Sequence, residues 1–262
     1  MTTRLTIEYD GSGFVGWARQ PGQRTVQGAV EDALAVILGS RVDLAVAGRT
    51  DTGVHALAQV ASYEGPPARV DGLNALLPPD VAVRSCEPAP DGFHARFDAT
   101  SRAYCYRVFA SRSRPALERG KVLHWNHRFE FELLERCAAL LTGTHDFTAF
   151  TPTDTYHVRF DRDVYAAFWE DRGAGDLRFW IEADTFMRNM NRALVGTMLE
   201  VARGKRSVDD FARLLDGQHR SQGGPTAAAH GLYLAGVGYG GERVLSAAPT
   251  SRIDANARTA DQ

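Results

Sequence analysis

Apolar and polar residues alternate at Leu5, Ile7 and Tyr9, and the pattern stops at Asp10-Gly11-Ser12-Gly13, which predicts a strand ending in a turn. Thr25 then precedes Val26, Ala29, Val30, Ala33, Leu34, Ile37 and Leu38, a helical spacing with its N-cap in place. A strand through Leu44 and Val46 leads into Gly48-Arg49-Thr50-Asp51-Thr52-Gly53. Beyond that loop the pattern predicts a strand from Val54 to Tyr63, a short helix from Val70 to Leu77 ended by Pro78-Pro79, and a short strand from Val81 to Val83.

A second half opens near residue 100 on a strongly alternating strand, with Tyr104, Tyr106 and Val108 on one face and Cys105, Arg107 and Phe109 on the other. Leu133, Leu134, Cys137, Ala138 and Leu141 mark a helix closed by Gly143, and strands about Asp163 to Trp169 and Leu177 to Ile181 flank a turn at Gly173 to Gly175. Met187, Met190, Leu194, Val195 and Met198 trace a long helix, Ser207 caps a shorter one, and Leu232 to Tyr239 reads as a closing strand. The expected organisation is therefore 1–99 and 100–240, halves alike in element order only, followed by a disordered tail over 241–262 where periodicity is lost.

Length and an apolar content of 44% place the chain among globular proteins. The opening residues carry no apolar signal core, and the stretch from Leu194 to Val201 is broken by Thr197 and Glu200, so a cytoplasmic chain with no membrane span is expected. Cys86, Cys105 and Cys137 have no Cys or His partner at metal-finger spacing; reduced thiols are expected, and no metal site.

The net charge of -2 opposes polyanion binding in bulk, but its distribution does not. Between Arg96 and Arg128 stand Arg96, Arg102, Arg107, Arg112, Arg114, Arg119, Lys121 and Arg128 against Asp98 and Glu118 alone, a candidate phosphate-facing segment. All basic residues except Lys121 and Lys205 are arginine, which fits either planar recognition of nucleic acid or a GC-rich coding sequence.

Asp51 sits in a turn with Arg49 two residues before it and Gly53 two after it, a setting in which a loop can project a carboxylate into a cleft and a guanidinium can favour its charged form. Composition alone favours the plainer reading of a surface turn capped by Asp51. Asp51-Thr52-Gly53 also spells the aspartic-protease tripeptide, but that chemistry needs two carboxylates sharing a proton, and no second copy occurs in the chain. A homodimer could supply one.

The longer string Ala47-Gly48-Arg49-Thr50-Asp51-Thr52-Gly53-Val54-His55-Ala56 resembles the catalytic loop of the tRNA pseudouridine synthase A family. Further blocks resemble the family in the same order: Ile7 to Gly11 with Gly16-Trp17 and Thr25-Val26-Gln27, Phe93-His94-Ala95-Arg96-Phe97, Gly143 to Phe150, and Gly231 to Leu234 with Tyr239. The resemblance implies an α+β fold in which two related halves form a merged, mainly antiparallel sheet with helices on one face and a central active-site cleft. It implies isomerisation of uridine to pseudouridine in the anticodon stem-loop of tRNA, at tRNA positions 38–40, by a homodimer that uses both subunits to grip the RNA.

By the same resemblance Asp51 is the nucleophile, Tyr104 packs on the target uracil, Arg49 helps displace the base, and Arg192 stands against the catalytic carboxylate. On the residues alone Tyr104 reads as a core tyrosine of an amphipathic strand and Arg49 as a solvated loop arginine. The segment Phe186 to Ala193 departs from the family pattern, which has a His pair before the Met; helical register is expected to put Arg188 and Arg192 on one face instead. An isomerisation needs no redox agent or group donor, and no Walker or Rossmann glycine pattern is present, so no cofactor is expected. A structured-RNA binder without chemistry would use the same arginines.

Overall fold

In a computed structural model that describes residues 1–155 and 157–245, the alternation at the N-terminus becomes β1 (Thr2–Tyr9), with Leu5, Ile7 and Tyr9 buried and Arg4, Thr6 and Glu8 half-buried between them. The Asp10 carboxylate accepts the Ser12 N–H at 3.0 Å and turns the chain. Helix α1 (Val26–Leu38) starts where the Thr25 hydroxyl accepts the Gly28 N–H, and ends at Gly39 in the left-handed region (φ 71°). There follow β2 (Ala45–Val46), β3 (His55–Glu64), α2 (Val70–Leu76), β4 (Val81–Ala89), β5 (Ala99–Ala110) and β6 (Leu123–Trp125). The rest comprises α3 (Phe131–Ala139), β7 (Gly143–Asp146), β8 (Asp161–Asp171), β9 (Asp176–Ala183), α4 (Met190–Ala202), α5 (Val208–Arg213) and β10 (Leu232–Tyr239). Ser207 and Asp210 exchange bonds in a capping box at the head of α5.

The strands form one sheet in the order β4-β1-β3-β10-β5-β9-β8-β7, with β2 on β3 and β6 on β5. Every pairing is antiparallel except β10 with β3 and β6 with β5. The last strand therefore joins the two flanks: Tyr233 and Leu234 pair with His55 and Ala56 on one side, and Leu232 with Tyr106 on the other. One continuous core runs under it, from Leu5, Ile7 and Leu34 through Tyr106 and Phe179 to Leu194 and Phe211, with all five helices contributing. The fold is α+β, as expected, and among the described residues no helix is long and apolar enough to cross a membrane.

Four local expectations are corrected. Strand β4 runs on past Val83 to Ala89 because it is an edge strand paired along its length with β1, where Pro88 costs no ladder bond on the open side. Gly143 does not close α3, which ends at Ala139; it opens β7 at φ 111°. Helix α4 starts at Met190, not Met187, because Asn189 is left-handed (φ 61°). Of the expected tail, residues 241–245 return across β9, where the buried Glu182 carboxylate accepts the Val244 and Leu245 N–H groups; the remainder lies outside the described residues.

Candidate active site

The loop carrying Asp51 is fixed on both sides of an exposed tip. Its entry is held by the Ala47 N–H on the Val60 carbonyl (2.9 Å) and by the Gln59 amide on the Gly48 carbonyl (2.7 Å). At its centre Thr50 turns inward: its hydroxyl shares a 2.7 Å hydrogen bond with the Tyr9 phenol, and its carbonyl accepts the Trp17 N–H at 3.0 Å. Burial pushes the Tyr9 pKa up to about 12, against the bonds from Thr50 and Gln59, so this strut stays neutral. The Val54 N–H closes the turn on the Asp51 carbonyl at 3.1 Å, with Gly53 at φ 77°.

This backbone needs two close approaches. Gly16 lies at φ 76°, and a Cβ there would fall 2.8 Å from the Thr50 carbonyl oxygen; one on Gly11 would fall 2.0 Å from that of Val54. The result is a rigid turn whose side chains at 49 and 51 face out. Among the described residues the Asp51 carboxylate makes no side-chain hydrogen bond or ion pair, with Arg49 or any other group.

Asp51 opens into a cleft of about 780 Å³ that also receives Arg49, Tyr104 and Arg192. All four residues singled out in the sequence thus reach one cavity. Tyr104 is at once a core residue and a wall of the cleft: its ring meets Phe186 edge-on at 5.1 Å, and 8% of its surface is exposed. Burial, then the nearby Tyr9 and Asp51, push its phenol up, with Arg102 opposing, so the group keeps its proton.

Arg192, on the first turn of α4, donates from Nε to the Ala227 carbonyl (2.7 Å) and from Nη1 to Asn189 (2.8 Å). The segment that carries Ala227 lies directly on α4 because residue 196 is glycine; a Cβ there would be 1.8 Å from the Pro225 carbonyl. Arg188 lies before the left-handed Asn189, so the expectation that it shares a helix face with Arg192 is corrected. It reaches the cleft independently and bonds Asp154 at 2.5 Å.

Two features were not anticipated. Arg102, counted above among phosphate-facing cations, is 9% exposed and gives its guanidinium to the carbonyls of Ala47, Arg96, Ala99 and Asp184, at 2.8 to 3.1 Å. It ties the entry of the Asp51 loop to the turn at 96–99. Arg107 is likewise engaged, with Glu118 at 3.0 Å, whereas Arg96, Arg112, Arg114, Arg119, Lys121 and Arg128 are exposed. The second is Phe97, an aromatic side chain of the 93–97 block that lines the cleft while 77% exposed. Its signal is the block itself, in which the sequence marks Phe97 only as part of a family signature.

Chemically, the cleft offers an accessible acid on a stiff turn, a neutral phenol, aromatic surface and several guanidinium groups, a combination suited to a nucleotide drawn out of its strand. The three cysteines are free thiols, and among the described residues no three His, Cys, Asp or Glu side chains converge to hold a metal.

A family model described as tRNA pseudouridine synthase matches residues 5–98 and 137–240. The chain is 40% identical over 246 residues to tRNA pseudouridine synthase A of Bacillus subtilis (strain 168), covering 91% of this chain and 99% of that one. It is 39% identical over 251 residues to the protein of the same name from Caulobacter vibrioides (strain NA1000 / CB15N), covering 90% and 98%. The Myxococcus xanthus protein of that name is 39% identical over 243 residues, covering 90% and 91%. With both flanks of the sheet matched and relatives aligned over nearly their whole length, the chain belongs to the tRNA pseudouridine synthase family, enzymes that isomerise uridine to pseudouridine in tRNA.

Proposed function

We propose that this enzyme acts on uridines of the anticodon stem-loop, with Asp51 as its catalytic carboxylate. The observation that carries the reading is an acid with no side-chain partner among the described residues, held on a pinned turn at the mouth of a cleft shared with Tyr104, Arg49 and Arg192. In the reaction the bond from C1′ to N1 breaks and one from C1′ to C5 forms; the proton displaced from C5 leaves to solvent, and N1 takes up a proton in exchange, so the product is an isomer of the substrate. Asp51 assists the cleavage by attacking the nucleotide or by removing a sugar proton. Tyr104 stacks on the freed uracil as it turns, and its protonated phenol relays a proton as the ring rearomatises. Arg49, exposed beside Asp51, takes the place of the extruded base, and Arg192 sets positive potential at the cleft wall.

On this reading residues 1–99 carry the catalytic loop and residues 100–240 supply Tyr104 and Arg192. The enzyme works in the cytoplasm, as a homodimer whose two copies grip one tRNA. Mapping pseudouridine in tRNA from cells lacking the protein tests the substrate assignment. The expected result is its loss from the anticodon stem-loop and its return with the wild-type gene; an unchanged map overturns the assignment.

A further inference from the structure

Single exposed apolar side chains are common on protein surfaces and mean little by themselves. Phe97 differs in how it is held. The His94 ring stacks on it at 4.2 Å between centroids with 26° between planes, covering one face and leaving the other open. The same imidazole accepts the N–H groups of Arg96 and Phe97 at Nδ1 (3.2 and 3.3 Å), and the Asp98 carboxylate accepts the His94 N–H at 2.8 Å. Below, the buried Ala95 is fixed by its N–H on the Ser62 hydroxyl and by the Tyr239 phenol on its carbonyl. Nη2 of Arg102 then donates to both the Arg96 carbonyl (2.8 Å) and the Ala47 carbonyl (2.9 Å), so the aromatic platform and the Asp51 loop are set by one buried group.

We propose that the open face of Phe97 is a stacking subsite for an unpaired nucleobase next to the target uridine. The inference rests on the reading that the cleft holds an RNA strand, and it adds a second base position to it. A ring fixed in advance loses little freedom when a base lands on it, and a base covers apolar surface that is otherwise wet. The neighbours favour a nucleotide over a protein partner: Arg96, its guanidinium 5.9 Å from the ring centre, is exposed beside Phe97 and free to meet the phosphate of the stacked residue. Stacking has little hydrogen-bond content, so the subsite accepts any base and prefers purines for their larger area.

The test uses full-length protein and tRNA in which 2-aminopurine replaces, in separate substrates, each nucleotide flanking the target. Binding is read with an Asp51→Asn background and turnover with the otherwise wild-type enzyme. Quenching of 2-aminopurine at one flanking position is expected with Phe97 present. Phe97→Ala should remove that quench and raise KM about tenfold while kcat moves less than about twofold, and Phe97→Trp should restore both. Retained quenching and KM in Phe97→Ala overturn the platform, as does a loss confined to kcat. A shift in sedimentation with KM unchanged also overturns it, by assigning Phe97 to contact with a second copy of the chain. These failures leave wild-type isomerisation intact, whereas a wild-type protein that neither binds nor isomerises tRNA sinks the functional reading and the subsite together.

Discussion

Arg102 donates to four backbone carbonyls, and burial lowers the pKa of its guanidinium from the ordinary value, with neighbouring tyrosines opposing. A lysine has neither the fork nor the donor count to replace it. Arg102→Lys should leave two or more buried carbonyls unbonded and cost roughly 2 kcal/mol or more, read as an earlier denaturation midpoint. Its kcat should fall further than the lost stability accounts for at assay temperature, because the Ala47 end of the loop is freed. A variant with wild-type midpoint and kcat would remove Arg102 from the positioning of Asp51. His55 does comparable work at the other end: it accepts the Gly11 N–H at Nδ1 (3.0 Å) and, with its proton on Nε2, donates to the His230 carbonyl (3.1 Å). Asp10 lies 3.1 Å from the same Nδ1 and Lys121 lies 3.6 Å from Asp10, while the Tyr233 ring stacks on the imidazole. Burial holds the His55 pKa below the ordinary 6.5, against the pull of Asp10. The unfolded chain thus binds the proton more readily, so this contribution to stability is present above 6.5 and is lost as pH falls below it toward the depressed folded value. Unfolding free energy followed across that range should decline toward acid, with a shallower slope in His55→Asn; equal slopes would contradict the neutral assignment.

At the scale of elements, the Asp51 turn depends on the short segment after β1. Gly16→Ala places a side chain at φ 76° and within 2.8 Å of the Thr50 carbonyl, so it should cost about 1 to 3 kcal/mol and reduce kcat by moving the turn. Gly22→Ala is the control: φ is 70°, nothing lies within 4 Å, and only the backbone cost should appear, with kcat kept. Equal kcat in the two variants would separate the segment from the Asp51 turn. Elements whose residues alternate or carry their own caps were legible in sequence, as with β1, β5, α1 and α5. Those defined by a partner were not. Strand β7 has no apolar alternation in Gly143-Thr144-His145-Asp146 and exists by pairing with β8, and the extension of β4 is imposed by β1. The start of α4 was missed because Met187 keeps apolar spacing although Asn189 breaks the backbone before it. In the cleft, Asp51, Arg49, Tyr104 and Arg192 could be singled out because family strings contain them. Arg102 could not be told from the solvated arginines around it, since its carbonyl partners come from three separate places in the chain, at Ala47, in the turn of 96–99 and at Asp184.

Across the whole molecule, the cleft exists because β10 unites the two flanks of the sheet. The Asp51 turn comes from one flank, and Tyr104 with the 185–192 segment from the other. A net charge of -2 is compatible with RNA binding because exposed arginines are gathered at this cleft and along the 112–128 stretch. Everything proposed for the reaction turns on the carboxylate at the cleft mouth, which is most directly tested by tritium release from tRNA labelled at C5 of uridine. Asp51→Asn keeps the shape of the turn and removes the charge. Release should be abolished while tRNA binding stays within a few-fold of wild type; release at the wild-type rate would contradict a catalytic Asp51 outright.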